Sequence, residues 1–142
     1  FKKNNINSQI IEQARNINDK MTNYFLKKIT TFLKKNKILG SKNKILIFGG
    51  TFKENCPDQR NSKNIELALS LESLKYAVTI IDPYIDKIET DQHNKIKILN
   101  KFSIKYINNN FDAAIFAVPH DKFIKKEINK KISVPTFEIR KF

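Results

Sequence analysis

Between Gly49 and Ser62 the chain reads GGTFKENCPDQRNS, directly after the apolar run KILIF at Lys44–Phe48. Two adjacent glycines let a backbone turn sharply and approach a ligand without interference from a Cβ. Lys53 supplies a mobile ammonium and Arg60 a planar fork of donors, both suited to phosphate groups. A loop that follows a strand and precedes a helix is the usual phosphate site of an open parallel sheet, because the helix presents free N–H groups and a partial positive end. Residue type alone leaves a second reading open, in which Lys53 and Arg60 are solvated loop charges. The loop is not the dinucleotide fingerprint, since no G-x-G-x-x-G occurs and Gly49 to Arg60 is too long for that tight turn. Asp82 could mimic the ribose-binding acid of such a fold, but a turn role before Pro83 is the expectation. His120 has the chemistry of an acid or base, and a packed, hydrogen-bonded role at a strand end is expected for it.

The elements that must position these residues can be read from periodicity. From Ser8 to Asn36, Ile10, Ala14, Ile17, Met21, Phe25, Ile29 and Phe32 recur every three or four positions without Pro or Gly, which predicts one long amphipathic helix. At 1.5 Å per residue it spans roughly 40 Å, more than a compact sheet needs, so part of its stripe should pack on another subunit or domain. Gly40 and Ser41 mark its exit. Lys44–Phe48 reads as a strand, and Asn61 to Lys75 as a helix carrying Ile65, Ala68, Leu69 and Leu74, with Asn61 or Ser62 as N-cap. Ala77–Asp82 is a second strand stopped by Pro83, and Lys95–Leu99 a short one after the polar stretch 87–94. Ala113–Val118 is an apolar run fit for a strand covered on both faces. His120–Lys131 reads as a helix with Phe123, Ile124 and Ile128 inward, and Val134–Ile139 as the last strand. Tyr106–Asn110 reads as a polar loop or surface segment. Strands alternating with helices imply an α/β fold in which a long helix precedes a Rossmann-like domain with a mainly parallel sheet, divided as 1–40 and 41–142.

The 142 residues, 40% hydrophobic, suffice for one ordinary domain plus an extra element. Nothing approaches the ~18 consecutive apolar residues of a membrane span, and the opening FKKNNINSQ lacks a signal-peptide core, so a cytoplasmic protein without membrane contact is expected. The first residue is Phe rather than Met, which suggests a piece of something longer. One cysteine, Cys56, leaves no internal disulfide, and His93 and His120 lie in separate segments, so no metal site is expected. The net charge of +13 invites a nucleic-acid reading, yet the lysines are spread along the chain among many Asn and Ile. Diffuse solubilising charge is the expectation, and a basic nucleic-acid-binding module the alternative.

TFKENCPDQRNS, preceded by a strand ending in glycine, resembles the C-terminal signature of the UDP-glucose/GDP-mannose dehydrogenase family. In its Thr-Phe-Lys-Glu-Asn-Cys-Pro-Asp form it is most similar to the branch acting on UDP-N-acetylhexosamines in surface-polysaccharide synthesis. ARNINDKM (Ala14–Met21), IIDPYID (Ile80–Asp86) and FDAAIFAVPHDKF (Phe111–Phe123) resemble three further family landmarks in the same order. The resemblance implies a central helix that forms a homodimer and a C-terminal UDP-binding domain of Rossmann type. It also implies oxidation of the sugar 6-hydroxyl to a carboxylate in two NAD-dependent steps, through a cysteine nucleophile upstream of Phe1. Cys56 is then a structural part of its Cys-Pro turn, and this chain alone should not turn over substrate. Lys53 matches the lysine that contacts the UDP-sugar, with Phe52 and Gly50 beside it, and Arg60 matches the arginine that reaches NAD. Asn18 and Asp19 fall in the central-helix motif, with a capping or interface role. Gly50 stands where Leu or another residue is common, and in FEIRKF Arg140 could stand in for the lysine of the family's Phe-Asp-x-Lys-like segment. A noncatalytic remnant that only dimerises is a further alternative.

Overall fold

The structure, a computed structural model, describes residues 2–89 and 96–142. Helix α1 (Lys2–Lys35) leads into strand β1 (Lys44–Phe48), helix α2 (Lys63–Ser73) and strand β2 (Ala77–Ile81). There follow β3 (Lys97–Leu99), α3 (Ile104–Asn110), β4 (Ala113–Phe116), the short helices α4 (Asp121–Ile124) and α5 (Ile128–Lys131), and β5 (Thr136–Glu138). The sheet has the order β3-β2-β1-β4-β5, and every pairing is parallel. The expected α/β class with a parallel sheet is therefore what the chain adopts. All strands point their carboxyl ends to one rim, where the loop after β1 emerges at the centre.

Alternation along the strands divides the core into two layers. Ile45, Ile47, Val78, Ile80, Ala113 and Ile115 pack with Ile65, Leu67, Ala68 and Leu71 of α2 and with Ile29 and Leu33 of α1. Leu46, Phe48, Ile81, Ala114 and Phe116 face the other way, onto Ile107, Phe111, Phe123 and Ile128. Helix α2 turns its face slightly from the expected one: Leu67 and Leu71 are buried, while Leu74 at its end is 47% exposed.

The elements depart from the sequence reading in several places. Helix α1 starts at Lys2 rather than Ser8 and stops at Lys35, one residue before the expected Asn36, without using Gly40 as its cap. Lys37 takes φ 60°, its N–H donates to Lys34 O, and Ile38 N–H donates to Leu33 O, which is a Schellman ending built without glycine. The buried pair Leu33 and Ile38 holds this ending in place of glycine's conformational freedom. The segment containing Tyr106–Asn110 is not a loop but most of α3, capped by Ser103 Oγ, which accepts from Tyr106 N at 3.1 Å. Burial of Ile107 and Phe111 overrides its weak local propensity. The stretch expected as one helix from His120 breaks into α4 and α5 at Glu127, which has φ 47°, and Ile124 is 46% exposed rather than inward.

Candidate functional site

The loop from Gly49 to Ser62 is held almost entirely by buried groups at the rim of the sheet. Gly49 takes φ 95°, and a Cβ there would sit 2.4 Å from Val118 Cβ and 2.9 Å from Val118 N, so only glycine lets β1 pass β4 here. Gly50 N–H donates to Asp82 Oδ2 at 2.8 Å, and Gly50 O accepts from Ser62 Oγ at 2.7 Å. The backbone of Gly50 is thus engaged inside the protein, and a Cβ on it would press Ile80 and Ile85 at 3.1 and 3.3 Å. Thr51 N–H also donates to Asp82 Oδ2, at 3.3 Å, and Thr51 O accepts from Asn64 Nδ2. Phe52 N–H donates to Asp58 O at 2.7 Å and closes the turn. Ser62, not Asn61, is the N-cap of α2, its Oγ accepting from Ile65 N.

Asp82 and His120 form the anchor. Both side chains are 0% exposed, with His120 Nε2 at 3.0 Å from Asp82 Oδ2. Asp82 Oδ1 accepts from Tyr84 N at 2.8 Å, the Asx turn expected before Pro83. Its other oxygen, however, holds the loop, so the carboxylate is buried and occupied and cannot serve as a ribose-binding acid. His120 Nδ1 accepts from Asn55 N at 2.9 Å, which fixes the ring's proton on Nε2, facing Asp82. Asn55, at φ 57°, uses its Oδ1 to accept from Asp121 N at 2.9 Å. His120 is therefore the packed, hydrogen-bonded residue expected, and no buried polar side-chain atom lacks a partner among the described residues.

On this frame the exposed residues of the loop include Phe52, at 61%, and the charged Lys53, Glu54 and Arg60. Arg60 lays its fork on Asp58, Nε to Oδ1 and Nη2 to Oδ2, both at 3.1 Å. The Asp58 carboxyl is held below its ordinary range, first by the Arg60 guanidinium bond and then by Arg60 N–H, with the charges of Arg60 and Lys53 adding to this. Arg60 is thus paired with Asp58, and the charge of Lys53 is felt at the same carboxylate. Arg140, from the segment after β5, reaches Glu54 with Nη1–Oε2 at 3.0 Å. The Glu54 carboxyl is lowered by its own backbone N–H and then by Arg140. Arg140 is a cation at this site that the strand pattern alone did not place there.

Cys56 is a half-buried free thiol. In α1, Asp19 approaches Lys63 at 4.0 Å, and Thr22 Oγ1 donates to Glu66 Oε2 at 3.2 Å, tying that helix to the start of α2. The side chain of Asn18, and His93, lie outside the described residues. A cavity of about 430 Å³ on the same rim lies between Phe102 and Phe123, edged by Lys101, Lys122, Lys125 and Lys126. A larger one, about 540 Å³, opens at the opposite end of the sheet beside Lys44 and Ala77, away from the loop. Among the described residues no group of acidic, His and Cys side chains could hold a metal ion, and no helix is long and apolar enough to cross a membrane.

An all-parallel sheet with an anchored, cation-bearing loop after its first strand defines a nucleotide-binding type of α/β domain. Residues 46–141 match the UDP binding domain of the UDP-glucose/GDP-mannose dehydrogenase family, and the chain belongs to that family. It is 35% identical over 115 residues to UDP-N-acetyl-D-glucosamine 6-dehydrogenase of Salmonella typhi, covering 81% of this chain and 26% of the relative. Protein CapL of Staphylococcus aureus is 32% identical over 123 residues, covering 87% of this chain and 27% of that protein. The fold matches the UDP-D-ManNAc dehydrogenase of Pyrococcus horikoshii with a TM-score of 0.65 at 22% identity, over 88% of this chain and 28% of the other. This chain therefore spans about a quarter of the length of such relatives.

Proposed function

We propose that this chain is the substrate-binding part of an NAD-dependent UDP-sugar 6-dehydrogenase, acting on a UDP-N-acetylhexosamine or UDP-glucose in surface-polysaccharide synthesis. The observation that carries this reading is a loop whose backbone is fixed from beneath and which bears two exposed cations, Lys53 and Arg60. Lys53 contacts the UDP-sugar, Phe52 covers it, and Gly50, tied to Asp82 and Ser62, fixes the base of the turn that presents both. Arg60 faces the cofactor from this side. Its side chain is 85% exposed and keeps Nη1 beyond the two donors given to Asp58, a donor set that fits a pyrophosphate. When bound in the complete enzyme, NAD supplies the hydride acceptor.

The long helix supports a homodimer. Ile10, Ile17, Met21 and Tyr24 are 48–62% exposed and recur, with Ala14, at alternating spacings of four and three, the pattern of a helix seam. On this reading the stretch up to Tyr24 serves the interface, whereas Ile29 and Leu33 belong to the core of the UDP-binding domain.

Calorimetry with UDP and UDP-GlcNAc tests the proposal. The chain should bind both, and Lys53→Ala should weaken binding about tenfold, the cost of one charge-assisted contact. Absence of binding by the unaltered chain, or binding indifferent to Lys53, counts against it.

A further inference from the structure

The buried Asp82–His120 pair stands apart from the exposed cations. A carboxylate and an imidazole are costly to desolvate, and the same turn could be packed with apolar side chains. What the pair contacts explains its presence. Asp82 takes its partners from β1's loop, from Tyr84 and from His120, while His120 takes the N–H of Asn55. Gly50 and Thr51 precede Phe52 and Lys53, and Asn55 follows them. The two N–H donors before the exposed pair and the one after it therefore end on a single coupled unit, seated at the carboxyl ends of β2 and β4. Thr51 Oγ1, 3.3 Å from His120 Nε2, closes the arc by donating to Lys53 O at 2.9 Å.

From this we infer that Asp82 and His120 are positioning residues, which set the height and direction of Phe52 and Lys53 above the sheet rim for the UDP ligand. The inference rests on the UDP-binding reading given above. In it, the imidazole acts by its two hydrogen-bonding faces: Nε2 as donor to the carboxylate and Nδ1 as acceptor for the turn.

Two substitutions separate these faces. In His120→Asn the side-chain oxygen occupies the place of Nδ1 and keeps an acceptor for Asn55 N–H. Asp82 then still holds Gly50, Thr51 and Tyr84. In His120→Gln the terminal amide nitrogen reproduces the donor to Asp82, and the acceptor for Asn55 is lost. UDP affinity of the 142-residue chain by calorimetry should be near the unaltered value in His120→Asn and weaker by about tenfold in His120→Gln, the equivalent of one buried hydrogen bond left unmade. Amide exchange at Asn55 should quicken in His120→Gln alone. Melting temperatures give the contrast, because Asn is the smaller side chain and leaves the larger void, so His120→Asn should be the less stable of the two. Affinity that follows the melting order, or His120→Gln binding UDP as tightly as the unaltered chain with Asn55 still protected, overturns the inference. Failure of the unaltered chain to bind UDP overturns the site reading beneath it, and is recognisable because it precedes any substitution.

Discussion

Replacing Asp82 by Asn tests how much of the fold's stability is concentrated at the loop anchor. The carboxylate is wholly buried and accepts from four donors: Gly50 N at 2.8 Å, Thr51 N at 3.3 Å, Tyr84 N at 2.8 Å and His120 Nε2 at 3.0 Å. An amide has one oxygen and one NH₂ group. If its oxygen takes the place of Oδ2, the NH₂ opposes Tyr84 N–H; in the reverse orientation it opposes three donors. The first arrangement leaves one donor unmet, about 1–3 kcal/mol, and weakens three bonds from charged to neutral strength, about 0.5–1 kcal/mol each. The desolvation cost that the amide avoids offsets part of this, leaving about 2–4 kcal/mol. Urea unfolding followed by circular dichroism should show the midpoint falling by about 1–2 M at unchanged slope. Asp112→Asn is the matched control. Among the described residues that exposed carboxylate holds only Lys44 N, at 2.7 Å, and its loss should cost less than about 1 kcal/mol. An Asp82→Asn protein no less stable than Asp112→Asn would refute the claim that one buried acceptor organises the loop.

Gly49→Ala should destabilise the fold by about 3 kcal/mol or more, measurable in the same unfolding assay, because the new Cβ meets Val118 backbone and side chain at a positive φ. The Glu54 carboxyl should titrate below the ordinary glutamate range in an NMR experiment and move back toward it in Arg140→Gln, though not completely, since its own N–H contributes first. The sign follows from the depressed folded value: the tie stabilises above the usual glutamate pKa of about 4.3 and is lost as pH falls through the lower folded value. The solvent-accessible setting of the pair, with side chains 43% and 45% exposed, keeps the effect on unfolding small. Ile17→Glu or Met21→Glu should shift the chain from dimer to monomer in sedimentation equilibrium without changing UDP affinity; a monomeric unaltered chain would refute the seam.

The sheet was legible because its central strands are continuous apolar runs. KILIF, AVTII and AAIF are buried on both faces, and no surface helix would tolerate that pattern. Helix α3 was not legible, since seven residues ending in three asparagines give no periodic signal; its existence depends on Ile107 finding the far layer of the core and on Asn108 Oδ1 accepting from Ser133 N. The break at Glu127 and the ending at Lys37 were hidden for the same reason, because non-glycine residues at positive φ leave no mark in composition. At the site, the exposed residues stood out by type, and the match of TFKENCPDQR to a family pattern named them. Asp82 and His120 were legible singly, as a turn residue and a packed histidine, but not as a pair. Asp82 and His120 are 38 positions apart, and only the parallel register of β2, β1 and β4 brings their side chains together.

The anchored loop has a thermodynamic corollary. Because its turn is fixed during folding by groups below the surface, the entropy of ordering it is already spent before any anion arrives, and binding draws on a preorganised surface. Side chains at the outer positions can then be exchanged to suit a different ligand while the backbone trajectory stays constant. The rim behaves as a rigid mount with interchangeable fittings.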